Sequence, residues 1–514
     1  MRPAPVAFLG FDAAEPLLVR QGIEEGWLPT LAGILDTGRY AVLDPVPSHF
    51  HNTGWASLVT GNDIQGHRGV LDRVLEPGTY RIVDKPASSF GRPPFWRYIS
   101  EAGLRTTAVS VYSAAPQPSL RGTQVQGWGS IDPYFSKFAE ASFDPPEVEQ
   151  LLRRAVGRRQ ALYRVNPPRT AARVRSYRDR LLKSIEEQTR GLEALIDETD
   201  WDFYFGSYAE AHQAGHLLWH LTDPEHPDYD PDASTDLHDA LFAIYRAVDA
   251  GLGRLIRRLP PECRYFVLTP HGMGPFYIED PIELMLERGG WFTRRPAAPE
   301  KGLRGRAVRT VWTLGRRVVP VRSRVRLYIA RTRAGRNERA SMPLSHVDWR
   351  HTRAFALPSD MTSYVRVNLV GREPEGIVRP GAEYDRLCDE LCATLGAVTD
   401  EDTGRSAVER IVRMTDLIGG PVDGELPDIC VIWQDGRLVR RFQLPGHGTV
   451  DAPRTDDRTG QHRHLGFMLG AGAGIESSRE EGRGDILDVA PTALALLGVD
   501  QPADLSGRPI AAFT

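Results

Sequence analysis

Val6-Ala7-Phe8-Leu9-Gly10-Phe11, followed at once by Asp12, is the stretch from which the fold is read. A short apolar run with no polar alternation fits a strand buried on both faces, and such strands belong to parallel sheets covered by helices on each side. A carboxylate directly after the run sits at the carboxyl edge, where open α/β sheets place their ligands. From Leu17 to Leu35 the apolar spacing is helical, so the chain opens strand, loop, helix.

The same syntax recurs outward from this unit. Thr106 to Val111 reads as a strand after the helical Phe95 to Ala102, and Asp202 to Gly206 reads as another. A long helical pattern from Ser234 to Leu259 meets Pro260-Pro261, then the strand Tyr265 to Leu268, which ends at Thr269-Pro270-His271-Gly272. Repeated alternation of this kind predicts an α/β fold with a mostly parallel central sheet and helices on both faces. The expected core spans 1–290 and 341–514, with a helical insertion at 150–182 and a basic cap at 291–340. From Arg294 to Arg339 there are fifteen Lys and Arg against only Glu300 and Glu338. That window reads either as a lid facing an anionic substrate or as a solvated amphipathic helix pair.

Composition sets the outer bounds. The chain has 514 residues, 41% of them hydrophobic, which is enough for a large core and excludes intrinsic disorder, collagen and coiled coil. With 63 Lys and Arg against 67 Asp and Glu, the overall charge gives no reason to expect nucleic acid or an anionic membrane as partner. Cys263, Cys388, Cys392 and Cys430 form no CxxC pair and suit a reducing compartment; Cys388 and Cys392 fall on one helix face. The run Val6 to Phe11 is too short for a signal peptide or a membrane span, so a soluble, cytoplasmic protein is expected. The sequence does not set the oligomeric state.

Candidate chemistry rests on histidines and one carboxylate. His212-Gln213-Ala214-Gly215-His216 places two imidazoles four residues apart, on one helical face, as metal ligands often are. His271 follows a strand, and His462 stands in Gly460-Gln461-His462-Arg463-His464 just before the apolar Phe467-Met468-Leu469. Each alone reads as a hydrogen-bonded loop histidine; together with Asp12 they mark one edge of the sheet. Glu210, two residues before His212, is placed to accept from a ligand imidazole. His67, His220, His226 and His464 read as structural or supporting.

Ordered segments along the chain carry a resemblance: LGFDAAEP (9–16), GWLPTLAGIL (26–35), GWASLVTGNDIQGHRG (54–69), EAHQAGHLLWHLTDPEHPDYDP (210–231), DAGLGRLIRRLP (249–260) and TPHGMGP (269–275). It continues through DWRHTRAFAL (348–357), VRVNLVGREPEGIV (365–378), GQHRHLGFMLGAGAGI (460–475), DILDVAPTALALLGV (485–499) and SGRPI (506–510). In this pattern the chain resembles the alkaline phosphatase superfamily, in its type I phosphodiesterase/nucleotide pyrophosphatase branch. The resemblance implies an edge site with two zinc or other divalent ions about 4 Å apart. Residues 212 and 216 with His462 would hold one ion; Asp12, the nucleophile position, residue 270 and His271 would hold the other.

The sequence departs from that pattern at the metals. Counting four residues back from Trp55 puts the nucleophile at His51 instead of Thr or Ser, with Thr53 and Ser48 near enough for a loop shift to restore a hydroxyl. The Asp of the D-x-x-x-H pair is His212, and the Asp of the S-D-H-G motif is Pro270. Two divalent ions facing only Asp12 leave much uncompensated charge, so one metal is expected, or two offset by hydroxide or an anionic substrate. Imidazoles suit zinc, iron or copper better than magnesium.

Three readings follow for the site, with Asp12, His51 and Thr53 as catalytic candidates and Asp12, His51, His212, His216, His271 and His462 as metal ligands. The first is a hydrolase of small, anionic phosphoryl or related esters, with metal-bound hydroxide as nucleophile and zinc as the metal. The second is a biosynthetic iron or copper oxidoreductase, in which Asp12, His51 and His271 form a two-His, one-carboxylate triad. The third is a non-catalytic relative, against which stands the replacement of ligand positions by histidine instead of by inert residues.

Overall fold

The computed structural model describes residues 2–45, 53–68, 73–84, 91–128, 141–157, 159, 168–276, 280–296, 341–358, 362–422, 424–434, 439–452 and 458–514. Among these, nine strands form one sheet, in the order Gly482–Asp485, Arg39–Asp44, Gly466–Gly472, Arg264–Thr269, Val6–Phe11, Phe203–Tyr208, Thr106–Val109, Gly122–Gln126, Ser142–Asp144. Val6–Phe11 lies in the middle, parallel to Phe203–Tyr208 on one side and to Arg264–Thr269 on the other. Thr106–Val109 and Gly122–Gln126 extend the parallel run. Gly466–Gly472 is antiparallel to both its neighbours, so its start lies at the edge where the parallel strands finish; Phe467 is in register with Thr269.

The unbroken apolar run of the first strand has a direct cause. Val6 and Phe8 enter a core on one face with Trp55, Trp96, Phe203, Phe205 and Phe266, whereas Ala7, Leu9 and Phe11 enter the core on the other face. Phe8 meets Phe203, Phe205 and Phe266 edge to face, with centroids 5.2, 5.6 and 5.5 Å away. Each such pair adds about 0.5–1.5 kcal/mol to the burial itself. The helices Gly54–Thr60, Trp96–Glu101 and Val489–Leu496 cover the first face; Pro29–Thr37, Ala171–Glu198, Glu210–Leu218 and Ala240–Ile256 cover the second.

Element boundaries depart from expectation where backbone chemistry intervenes. The helical span Leu17 to Leu35 is two helices, Pro16–Glu24 and Pro29–Thr37, because Gly26 turns into the left-handed region at φ +79° and Pro29 starts a new helix. Ser234 to Leu259 divides into Thr235–His238 and Ala240–Ile256. The strand at Thr106 ends at Val109 because Ser110 takes φ +53°. The basic helical stretch around 151–180 resolves into Val148–Val156 and the start of Ala171–Glu198, whose Val174, Tyr177, Leu181 and Ile185 enter the main core. Residues 297–340, most of the expected cap, lie outside the described residues.

A second, smaller lobe has its own core. Ala354–Leu357, Thr362–Val367, Ile429–Trp433 and Val408–Arg413 form an antiparallel sheet backed by the helix Ala382–Gly396. No helix among the described residues is long and apolar enough to cross a membrane.

Candidate metal centre

Four chain segments deliver side chains to the carboxyl edge of the large sheet. Asp12 follows Val6–Phe11; His212 and His216 lie on the helix Glu210–Leu218 after Phe203–Tyr208; His271 follows Arg264–Thr269; His462 precedes Gly466–Gly472. Their placement follows from strand register. His462 is fixed further by a short antiparallel ladder, Gly272–Pro275 against Gly460–Arg463, in which it pairs with Met273. The ladder packs closely on the HxxxH helix: a Cβ on Gly460 would stand 2.1 Å from the Gly215 carbonyl oxygen, and one on Gly215 would stand 2.6 Å from Met273 Cγ.

The loop after the first strand is held just as tightly. Ala13 takes φ +55°, an unfavourable conformation for a residue with a Cβ, and its N–H donates to Thr269 Oγ1 at 3.2 Å. Thr269 Oγ1 in turn donates to the His271 carbonyl at 2.8 Å, and the buried Glu15 carboxylate accepts from Met273 N at 3.0 Å. Trp55 Nε1 donates to Asp12 Oδ1 at 2.7 Å. Thr269, Glu15, Trp55 and the Gly460 carbonyl all support the site, and none was singled out from sequence as doing so. Trp55 had served only as a landmark for counting, and a backbone acceptor leaves no signal in residue type.

His212, His216 and His462 converge. His216 Nε2 lies 3.1 Å from His212 Nε2 and 3.1 Å from His462 Nε2, and one nitrogen from each of the three falls within 4.8 Å of the others. Two of these rings have their outer nitrogens committed: His212 Nδ1 is 2.7 Å from Asp12 Oδ2, and His216 Nδ1 is 2.9 Å from the Gly460 carbonyl. A carboxylate and a carbonyl only accept, so both Nδ1 atoms carry a proton, and in the neutral rings both Nε2 atoms present lone pairs to one another. Facing lone pairs at that separation repel, and a proton or a metal cation between them relieves the contact. Outer nitrogens held by a carboxylate and a carbonyl are the support that metal-bound histidines use. Nitrogens bound tetrahedrally at about 2.0–2.1 Å from zinc stand about 3.3 Å apart, close to the two 3.1 Å separations that His216 makes. The three residues fit a transition metal.

Asp12 and His271 border this set. Burial pushes the Asp12 carboxyl up, but His212, His271 and Trp55 outweigh it and hold the group below the usual carboxylate range. Asp12 is therefore ionised at neutral pH. Burial moves His271 down to about 4, against the pull of Asp12, so its ring is neutral. His271 Nδ1 lies 3.0 Å from His462 Nδ1, and its Nε2 lies 3.7 Å from Asp12 Oδ1.

The other sequence candidates fall differently. His51 and Ser48 lie outside the described residues. Thr53 is buried immediately before the helix Gly54–Thr60. Glu210 turns away from the imidazoles: its Oε1 accepts from Ser184 Oγ at 2.6 Å and from Arg159 Nη2 at 3.4 Å, because the buried arginine offers a stronger partner. His67 Nε2 is 3.1 Å from Ser57 Oγ, both fully buried, and His220 Nδ1 is 3.0 Å from Thr459 Oγ1, as supporting residues.

Comparison with known proteins bears on this architecture. The family model for type I phosphodiesterase/nucleotide pyrophosphatase matches residues 6–362. Phosphonoacetate hydrolase from Sinorhizobium meliloti 1021, solved with phosphonoformate, is similar in fold at 12% identity and TM-score 0.52, over 97% of this chain and 96% of that one. Murine ectonucleotide pyrophosphatase/phosphodiesterase 5 aligns over the same shares at 12% identity, with a TM-score of 0.47. No curated protein sequence matches the chain. The family match spans the first strand, the HxxxH helix and His271, and the chain belongs to the type I phosphodiesterase/nucleotide pyrophosphatase family of hydrolytic enzymes, within the alkaline phosphatase superfamily.

Proposed function

We propose that the chain is a metal-dependent hydrolase of small anionic phosphoryl or related esters, working at the His212, His216 and His462 centre. The observation that carries this reading is the convergence of three imidazole nitrogens, two with lone pairs fixed by their Nδ1 partners, at the ligand-binding edge of the sheet. The three histidines hold the ion. The Gly460 carbonyl fixes the tautomer of His216. When bound, zinc supplies Lewis acidity toward a phosphoryl oxygen and a water of lowered pKa. In the ungapped register the position of the hydroxyl that family members use for covalent transfer is His51, and in this reading water takes its place as the nucleophile, with Thr53 as the alternative hydroxyl. Three neutral imidazoles leave the ion's charge largely uncancelled, which favours an anionic substrate.

The test is elemental analysis of protein purified without chelator or nickel, joined to assays with bis(p-nitrophenyl) phosphate and p-nitrophenyl phosphate. Stoichiometric zinc and turnover of one ester, both lost in His216→Ala and in His462→Ala, are expected. Protein free of metal even after incubation with zinc contradicts the reading, and stoichiometric iron or copper redirects it to the oxidoreductase that imidazole donors also suit.

A further inference from the structure

Two of the three departures from the family pattern, at positions 51 and 270, fall on the second metal position, and the third, His212, reaches toward it from the first. Pro270 has no side-chain donor. Asp12 Oδ2 is engaged by His212 Nδ1 at 2.7 Å and Asp12 Oδ1 by Trp55 Nε1 at 2.7 Å. His271 Nδ1 lies 3.0 Å from His462 Nδ1 and 3.4 Å from the Gly272 carbonyl, and its Nε2 lies 3.7 Å from Asp12 Oδ1. Among the described residues, which do not include His51, a second ion would find the donors Asp12 and His271, the first already spanning two hydrogen bonds. The charge balance points the same way. One divalent ion beside Asp12 leaves a single net positive charge for an anionic substrate to cancel, whereas two ions leave about three in a confined site.

We propose that the centre holds one metal ion, on His212, His216 and His462, and that Asp12 is not a ligand but the positioning residue that aims His212 at it. The proposal rests on the reading of this cluster as a metal centre and goes beyond it in number and in the role of Asp12. Replacement of the family's aspartate by His212 explains the change. An imidazole reaches across to Asp12 and turns a former ligand into a hydrogen-bond acceptor for another ligand. Asp12 then sets the tautomer and the ring angle of His212, a kind of support whose loss typically weakens metal binding tenfold to a hundredfold.

The experiment is a titration of the chelator-stripped full chain with zinc, by competition with a chromogenic chelator, and with cobalt, by its visible absorption. One equivalent is expected for the wild type and for Asp12→Asn. The variant should bind tenfold to a hundredfold more weakly while keeping the same tetrahedral cobalt spectrum. Asp12→Ala should weaken binding at least as much, again with one equivalent, and circular dichroism checks that each variant is folded. Two equivalents in the wild type, with one lost in Asp12→Asn, overturn the proposal and leave the metal centre intact. An Asp12→Asn affinity equal to wild type overturns the positioning role. No binding by the wild type at all overturns the underlying reading, and the proposal with it.

Discussion

Two buried polar clusters in this chain solve the same electrostatic problem in opposite ways. In the small lobe, Arg366 and Arg372 face Glu373 and Asp428. Arg372 makes a paired contact with Asp428 at 2.8 and 2.7 Å, and it also meets Glu373 at 2.9 Å. Arg366 meets Glu373 at 2.8 Å, while Tyr384 OH and Val367 N fill the remaining Asp428 positions at 2.8 and 2.6 Å. Two cations balance two anions, and the cluster is closed. At the sheet edge, three histidines and one carboxylate come together, with imidazole nitrogens 3.1 Å apart. The first cluster is complete from the chain's own groups and serves stability; the second, on the reading proposed above, takes an ion and serves chemistry.

The largest effect expected from this contrast is on stability in the small lobe. Asp428 has no solvent exposure, so Asp428→Asn breaks the paired contact and leaves the largely buried Arg372 with Glu373 as its remaining carboxylate partner. Loss of one member of a buried ion pair costs about 3–5 kcal/mol. Urea unfolding should show that loss, with zinc stoichiometry in the folded variant unchanged. If metal were lost as well, the two clusters would be coupled and the contrast would fail.

Next in size is the metal itself. Zinc at a hundred times its dissociation constant should stabilise the wild type by about 2.7 kcal/mol, because only the folded chain brings the three histidines together. His216→Ala should show none of that gain. Without metal it should lose only about 1 kcal/mol relative to wild type, the worth of the hydrogen bond to Gly460. Thermal unfolding with and without zinc separates these quantities, and an equal zinc shift in both proteins would place the metal elsewhere.

How far these clusters were legible in the sequence follows from the range over which each is built. His212 and His216 announce themselves by a helical spacing, and Val6–Phe11 announces a parallel strand because both faces are buried. His462 was placed by its position before the apolar Phe467 to Leu469. The bond from His212 to Asp12 joins residues 200 positions apart, and no local pattern encodes it. The small-lobe sheet was not read as a separate structure, since its strands alternate with loops and a helix much as the main sheet's do. Glu210 misled because it lies on the right helix, but the buried Arg159 on the far side claims it. Sequence separates inward from outward faces well, and it does not show which of two buried partners a carboxylate will choose.

The acid response offers a smaller distinction. Burial raises the Asp428 carboxyl, but Arg372, Arg366 and Val367 N outweigh it, so its folded pKa lies below the unfolded value of about 3.9. A depressed carboxylate contributes its full stability above the unfolded pKa and loses it as pH falls through the folded one. The stability gap between wild type and Asp428→Asn should thus be constant at neutral pH and narrow below about pH 4. A gap that narrowed between pH 8 and 5 would point to a histidine, and so to the other cluster.

The smallest expected effect concerns the thiols, the softest potential metal donors in the chain. Cys388 and Cys392 lie one turn apart on the helix Ala382–Gly396, and burial pushes their pKa values up to about 12 and about 11. Cys430 is fully buried, and burial likewise raises its thiol well above the ordinary range. A thiol binds zinc as the thiolate, so groups held protonated at neutral pH compete poorly with imidazoles whose lone pairs are already exposed to one another. Cys392→Ala, at a half-buried position, should leave zinc stoichiometry unchanged and ester turnover within twofold of wild type. The small lobe then keeps its cysteines as packing groups for the same reason that it keeps its charges paired: its interior is arranged to need nothing from outside. A drop in bound zinc on removing Cys392 would show that the small lobe also takes up metal, and the division of labour between the two clusters would have to be redrawn.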